Sequence, residues 1–171
     1  MHGPSAKEFV MKVSNRAGAL KLAVALCAAL AMAGCAKNPA EDALAGYAAP
    51  GSPQDFTTNV GDRVFFETDS SELTSTAQAT LDKQARWLSQ YNRYNFVVQG
   101  YADERGTREY NFALGARRAE TVKEYLAARG ISASRMRTIS YGKERPVAVC
   151  NDISCWSQNR RVVTALGGGQ S

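Results

Sequence analysis

The stretch from Asn95 to Gly130, NFVVQGYADERGTREYNFALGARRAETVKEYLAARG, limits what this chain can fold into more than any other. It opens on Phe96, Val97 and Val98, an apolar run that fits a strand buried on both faces. Polarity breaks it at ADERG. Thr107 is placed to cap a helix, and Leu114, Ala119, Val122 and Leu126 give that helix a core face before Gly130 marks its end. The strand expected over 95–102 and the helix that follows make one strand–turn–helix unit, with a short acidic and glycine-bearing turn between.

The flanking sequence supplies partners for it. RVFF at 63–66 reads as an earlier strand that runs into the acidic turn ETDSSEL. Thr74 or Ser75 can cap the next helix, in which Leu73, Ala77, Leu81, Ala85 and Leu88 form one apolar stripe as far as Gln90. SRMRTISYG and RRVVTAL, the latter from Arg160, read as two further strands, and the Gly-rich end as a frayed tail. The order βαβαββ predicts an α+β domain, a mixed four-stranded sheet with helices packed on it.

The N-terminal segment reads as an address. Lys12, Arg16 and Lys21 lead into LAVALCAALAMA, an apolar run of residues 22–33 that is too short to span a bilayer. It closes on Met32-Ala33-Gly34-Cys35, which resembles a bacterial lipobox with Cys35 as the lipidated residue. An ordinary signal peptide cut near Gly34, with Cys35 unmodified, is the alternative. The expected organisation is a lipoprotein signal peptide over 1–34, a lipidated flexible tether over 35–58 and a folded domain over 59–171. The tether assignment rests on its Ala, Pro, Gly and Ser content and its lack of periodicity.

Export would leave Cys150 and Cys155 in an oxidising compartment, where a small disulfide loop is expected. Two separate thiols are the alternative. Zinc is a poor fit, because two cysteines supply half a tetrahedral shell, and no other metal or cofactor is expected. Removing residues 1–34 takes four Lys/Arg and one Asp/Glu with it, so the net charge falls from +5 to about +2. That mild basicity does not point to nucleic acid; it suits an anionic polymer.

GYADERGTREYNFALGARRAETVKEYL, followed by ISYGKERP and SQNRRVV, resembles the OmpA-like peptidoglycan-binding domain over Val64 to Leu166. The resemblance implies non-covalent binding of the diaminopimelate of the cell-wall stem peptide. It assigns the D-centre of that unit to Asp103 and Arg118, with Asp69, Arg105, Asn111 and Leu114 lining the site. Thr68, Gly106, Thr107, Asn159 and Arg160 are expected in support, the last two anchoring the final strand against the Asp103 loop. Two departures stand out: Thr68 replaces a phenylalanine common in relatives, and Tyr101 replaces a histidine.

The chemistry of such a ligand matches the residue types. A carbon bearing both an ammonium and a carboxylate calls for one fixed anion and one fixed cation a few ångströms apart. Arginine suits the second role better than lysine, because a planar guanidinium grips a carboxylate through two parallel hydrogen bonds. Asn111 sits about two turns before Arg118 on the same side of the helix, free to meet the peptide or to fix the loop. Gly106 permits the tight turn, and the first helical turn after Thr107 adds a partial positive field.

Rival functions are weaker. The only histidine, His2, lies in the segment expected to be removed, so His-based acid–base chemistry is excluded from the mature chain. Asp69 and Asp103 could form a glycosidase-like carboxylate pair, but nothing else in the sequence supports an enzyme. A stator or porin tail of the same fold would carry a membrane span or barrel before the domain. For a lipidated member, the resemblance implies a place on the outer membrane facing the periplasm, docking with TolB, and a part in the Tol–Pal envelope system.

Overall fold

The computed structural model describes residues 48–167. Cys35, the signal peptide, the expected tether as far as Tyr47 and the last four residues lie outside the described residues.

Four strands form one mixed sheet: β1 (Arg63–Phe65), β2 (Phe96–Tyr101), β3 (Met136–Gly142) and β4 (Arg161–Leu166), in spatial order β1-β4-β2-β3. β4 is antiparallel to both of its neighbours, and β2 and β3 run parallel. Helix α1 (Ser75–Gln90) follows β1, α2 (Arg108–Ala128) connects β2 to β3, and a short α3 (Ile153–Asn159) precedes β4. The α+β reading therefore holds. Thr74 caps α1 by accepting the Ala77 N–H, and Thr107 caps α2 by accepting the Tyr110 N–H. Gly130, at φ 87°, ends α2 in the left-handed conformation expected of a C-terminal glycine.

Both long helices cover one face of the sheet. Val64, Val98 and Val162 from the strands meet Ala77, Leu81, Ala85 and Leu88 of α1 and Ala119, Val122 and Leu126 of α2 in a single core. β2 is not buried uniformly: Val98 is fully buried but Val97 on the opposite face is only half-buried. A buried polar bridge ties the layers together, with Thr164 Oγ1 donating to Gln84 Oε1 at 2.8 Å and Gln84 Nε2 donating to the Gly61 carbonyl at 2.7 Å.

Gly100 and Gly115 set how close α2 lies to β2. A Cβ on Gly100 would stand 1.9 Å from the Gly115 carbonyl oxygen, so only glycine permits the approach. Arg118 lies three residues further along α2 and is carried onto the end of β2 by this contact. The β2/β3 register shifts between Gly100 and Tyr101, and Ala102 N–H then bonds the Gly142 carbonyl at 2.8 Å. The chain leaves the sheet there, at Asp103.

Residues 48–58, assigned from composition to the tether, are folded. A helical turn at Pro53–Asp55, capped by Ser52, runs into a π-helical turn at Phe56–Gly61. Phe56 is 1% exposed and meets Trp87 at a ring separation of 4.8 Å. Asp55 accepts from Trp87 Nε1 and from Gly51 N–H, both at 2.8 Å, and these bonds hold its carboxyl below the usual range. Composition missed this because the partners come from α1 and the loop after it: Trp87, and Tyr94, whose hydroxyl donates to the Gly51 carbonyl at 2.8 Å.

Candidate functional site

A cleft of about 660 Å³ opens where β2, the loop after β1 and the first turns of α2 converge. Its lining is Thr68, Asp69, Asp103, Arg105, Gly106, Thr107, Tyr110, Asn111, Leu114 and Arg118. All six residues assigned to the ligand line it, and so do Thr68, Gly106 and Thr107. Asn159 and Arg160 do not. Arg160 reaches its floor through Asp103, as expected of an anchor, but Asn159 holds the segment at Val147 and Ala148 and not the Asp103 loop.

The face of α2 explains the gathering. Thr107, Asn111, Leu114 and Arg118 recur at spacings of four, three and four, which places them on one side of a helix. Tyr110 belongs to the same face, one step before Asn111, and the sequence reading passed over it; helical spacing was the signal that could have found it. Its hydroxyl donates to Asp69 Oδ1 across the cleft mouth. Asp69 adopts φ 59°, a left-handed conformation that aspartate tolerates better than most residues.

Arg118 is 0% exposed as a residue, yet it borders the cleft. Nε donates to the Ser70 carbonyl at 2.8 Å, Nη1 to the Tyr101 carbonyl at 3.0 Å and Nη2 to the Glu67 carbonyl at 3.0 Å. A guanidinium has five N–H groups. Two remain, one on each Nη. Burial, and next the charge of Arg160, lower its pKa from the usual arginine range to about 10, so it stays charged at neutral pH. The Phe66 ring, 5.2 Å from its central carbon, packs beside it.

Asp103 is 7% exposed and fully engaged. Oδ1 accepts from the Arg105 backbone N–H at 3.2 Å and from Arg105 Nε at 3.1 Å. Oδ2 accepts from Arg105 Nη2 at 2.7 Å and from Arg160 Nη1 at 3.3 Å. Burial alone would push this carboxyl up, but the hydrogen bonds from Arg105 and Arg160 outweigh it and hold the group below its ordinary value. Arg160 is itself fixed, with Nε on the Phe66 carbonyl at 3.0 Å.

Asn111 fixes the loop: its Nδ2 donates to the carbonyls of Arg105 at 2.6 Å and Thr107 at 3.0 Å. Asn159, fully buried, accepts from the N–H groups of Val147 and Ala148 at 2.8 and 3.1 Å and donates to the Ala148 carbonyl at 2.7 Å. It anchors the loop before α3. Cys150 and Cys155 are joined in a disulfide, their Cα atoms 5.6 Å apart. Of the two departures, Thr68 offers its hydroxyl oxygen as an acceptor to Arg105 Nη2 at 3.5 Å. Tyr101 points to the sheet face away from the helices, where its hydroxyl bonds Gln99 and Arg161 lies 3.8 Å over its ring.

One further residue has no local signal in the sequence. Trp156 on α3 presents its ring to the Arg105 guanidinium at 4.2 Å, and its Nε1 donates to Glu104. The contact joins residues 51 positions apart, so neither spacing nor periodicity could reveal it.

Comparison with known proteins identifies the family. The model of the OmpA family matches residues 65–160. The chain is 63% identical over 155 residues to the peptidoglycan-associated lipoprotein of Rhizobium meliloti, covering 86% of this chain and 88% of that one. It is 58% identical over 154 residues to the protein of the same name from Brucella melitensis, covering 86% and 92%. Among solved structures, the peptidoglycan-associated lipoprotein of Burkholderia pseudomallei superposes with a TM-score of 0.63 at 37% identity, over 67% of this chain and 99% of that one. The C-terminal domain of Helicobacter pylori MotB shares the fold, with a TM-score of 0.59 at 22% identity over 63% and 85% of the two chains. This chain belongs to the OmpA family and, within it, to the peptidoglycan-associated lipoproteins.

Proposed function

We propose that the cleft holds the diaminopimelyl unit of a peptidoglycan stem peptide non-covalently, with Asp103 as counter-ion to its ammonium and Arg118 gripping the carboxylate on the same carbon. The observation that carries this reading is the placement of one buried anion and one buried cation on the floor of a single open cleft, with Leu114 and Asn111 beside them. Arg118 is pre-organised by three backbone carbonyls and keeps one N–H on each terminal nitrogen, the two-pronged donor that a carboxylate accepts. The names of the relatives, peptidoglycan-associated lipoproteins, support the choice of polymer.

The domain acts as a tether. Lipid on Cys35 would fix the chain to the outer membrane with the domain in the periplasm, and the cleft would fix it to the wall, as one component of the Tol–Pal system that docks with TolB. It binds the wall without cutting it, so incubation with purified sacculi leaves the muropeptides unchanged.

Calorimetric titration with a diaminopimelate-containing muropeptide tests the site. Asp103→Asn, which keeps the shape and removes the charge, should weaken binding by at least about 30-fold, because a desolvated ligand ammonium loses its counter-ion. Amidating the ligand's diaminopimelate carboxylate should weaken it in the parent protein through Arg118. If both changes leave the affinity untouched, the cleft does not recognise this zwitterion.

A further inference from the structure

The anion on the cleft floor is already paired in the free protein. A carboxylate offers about four lone-pair directions, and four donors fill those of Asp103: the Arg105 backbone N–H, Nε and Nη2, and Arg160 Nη1. An incoming ammonium finds no free acceptor. Arg160 cannot yield, since its side chain is buried and pinned to the Phe66 carbonyl. The Arg105 backbone is held by Asn111 through its carbonyl. The Arg105 side chain, 39% exposed, is the group able to leave.

Beyond Asp103 itself and the Thr68 hydroxyl, what holds that side chain is Trp156. Its ring lies 4.2 Å from the guanidinium carbon, its Nε1 is tied to Glu104, and its backbone follows Cys155, which the bridge to Cys150 secures. α3 is short and buries only Cys155 and Asn159, so the bridge, the Asp152 cap and the bonds of Asn159 to Val147 and Ala148 keep the indole in position.

We propose that Arg105 is an internal counter-ion occupying the ammonium position on Asp103, that the ligand's ammonium displaces it, and that Trp156 is the positioning residue that sets how firmly it is held. This rests on the diaminopimelyl reading of the cleft. Binding is then an exchange of one cation for another at Asp103. A plain amine gains little beyond what Arg105 already supplies, and the surplus must come from the carboxylate that meets Arg118. Arg105 thereby acts against the ligand, although it lines the same cleft.

The test uses the exported domain with its disulfide intact and a diaminopimelate-containing muropeptide as probe, read by calorimetry with circular dichroism as the fold control. Trp156→Leu removes a cation–π contact from the competing state and should tighten binding about two- to five-fold. Arg105→Ala removes the competitor and should tighten it about ten-fold. A ligand-free measurement stands beside these: the Arg105 Nε–H, observed by ¹⁵N NMR, should exchange slowly with water in the free protein and faster in Trp156→Leu. Weaker or unchanged binding by folded Arg105→Ala overturns the proposal, as does a rapidly exchanging Nε–H in the parent. If that Nε–H is protected but the parent binds no muropeptide, the diaminopimelyl reading is what has failed, and the displacement falls with it.

Discussion

Gly100 of β2 and Gly115 of α2 meet backbone to backbone: a Cβ on Gly100 would lie 1.9 Å from the Gly115 carbonyl oxygen, and one on Gly115 would lie 2.5 Å from Ser140 Oγ. The fold and the cleft depend on the same contact, because it lowers onto the sheet the helix that carries Asn111, Leu114 and Arg118.

Gly100→Ala should therefore damage both. The added methyl meets backbone, which cannot swing aside as a flexible side chain would, so α2 must lift and overpack its neighbours at a cost of about 1–3 kcal/mol. Thermal unfolding should shift down by roughly 4–12 °C. Muropeptide affinity should fall as well, since Arg118 moves with the helix. A variant that melts with the parent and binds like it would show that the approach of the two backbones has no such role.

Phe56→Ala tests the segment that composition assigned to the tether. Phe56 is 1% exposed and packs on Trp87, so truncation should cost about 3–5 kcal/mol, near the value for a core aromatic. A free tether residue would cost nothing. Denaturant unfolding of the parent and the variant decides it, and coincident curves would return residues 48–58 to the tether.

These two positions show what a sequence can and cannot disclose. Ala77, Leu81, Ala85 and Leu88 were legible because a helix against a sheet needs a stripe at its own period, and the strands were legible from their β-branched and aromatic runs. The cleft face of α2 was legible for the same reason, which is why Tyr110 could have been read there too. α3 was not: among its residues only Cys155 and Asn159 are buried, too few to make a stripe. Phe56 on Trp87, and Arg105 between Asp103 and Trp156, depend on partners brought near only by the finished fold. Local composition carries no record of them.

Arg118→Ala and Arg117→Ala, neighbours in sequence, should behave unlike each other. Loss of the Arg118 guanidinium strands the carbonyls of Glu67, Ser70 and Tyr101, which should cost on the order of 3 kcal/mol of stability as well as ligand binding. That differs from a residue serving the ligand alone. Arg117 is exposed and turned about 100° away around the helix, so its loss should stay within about 0.5 kcal/mol and leave binding unchanged. Melting curves and calorimetry on both variants check this. Equal damage from the two would mean that Arg118 does not hold the loop after β1.

Acid should loosen the cleft in a defined order. The Asp103 carboxyl has its folded pKa depressed by the hydrogen bonds of Arg105 and Arg160, which overcome the opposing effect of burial. A depressed carboxyl contributes stability that is fully present above its unfolded value of about 3.9 and is lost as pH falls through the lower folded value. Asp103 should thus pick up its proton only at a pH below the ordinary carboxylate range. Protonation breaks the pair with Arg105 and would remove the counter-ion proposed for the ligand's ammonium, so muropeptide binding and Asp103-linked stability should fade together in the same acid window. Asp103→Asn should flatten that part of the stability profile while leaving the rest of the acid transition in place. The carbon-13 carboxyl shift of Asp103, followed from pH 6 to pH 2, reads the titration directly. A midpoint at or above about 3.9 would mean that burial, and not the two arginines, governs this carboxylate.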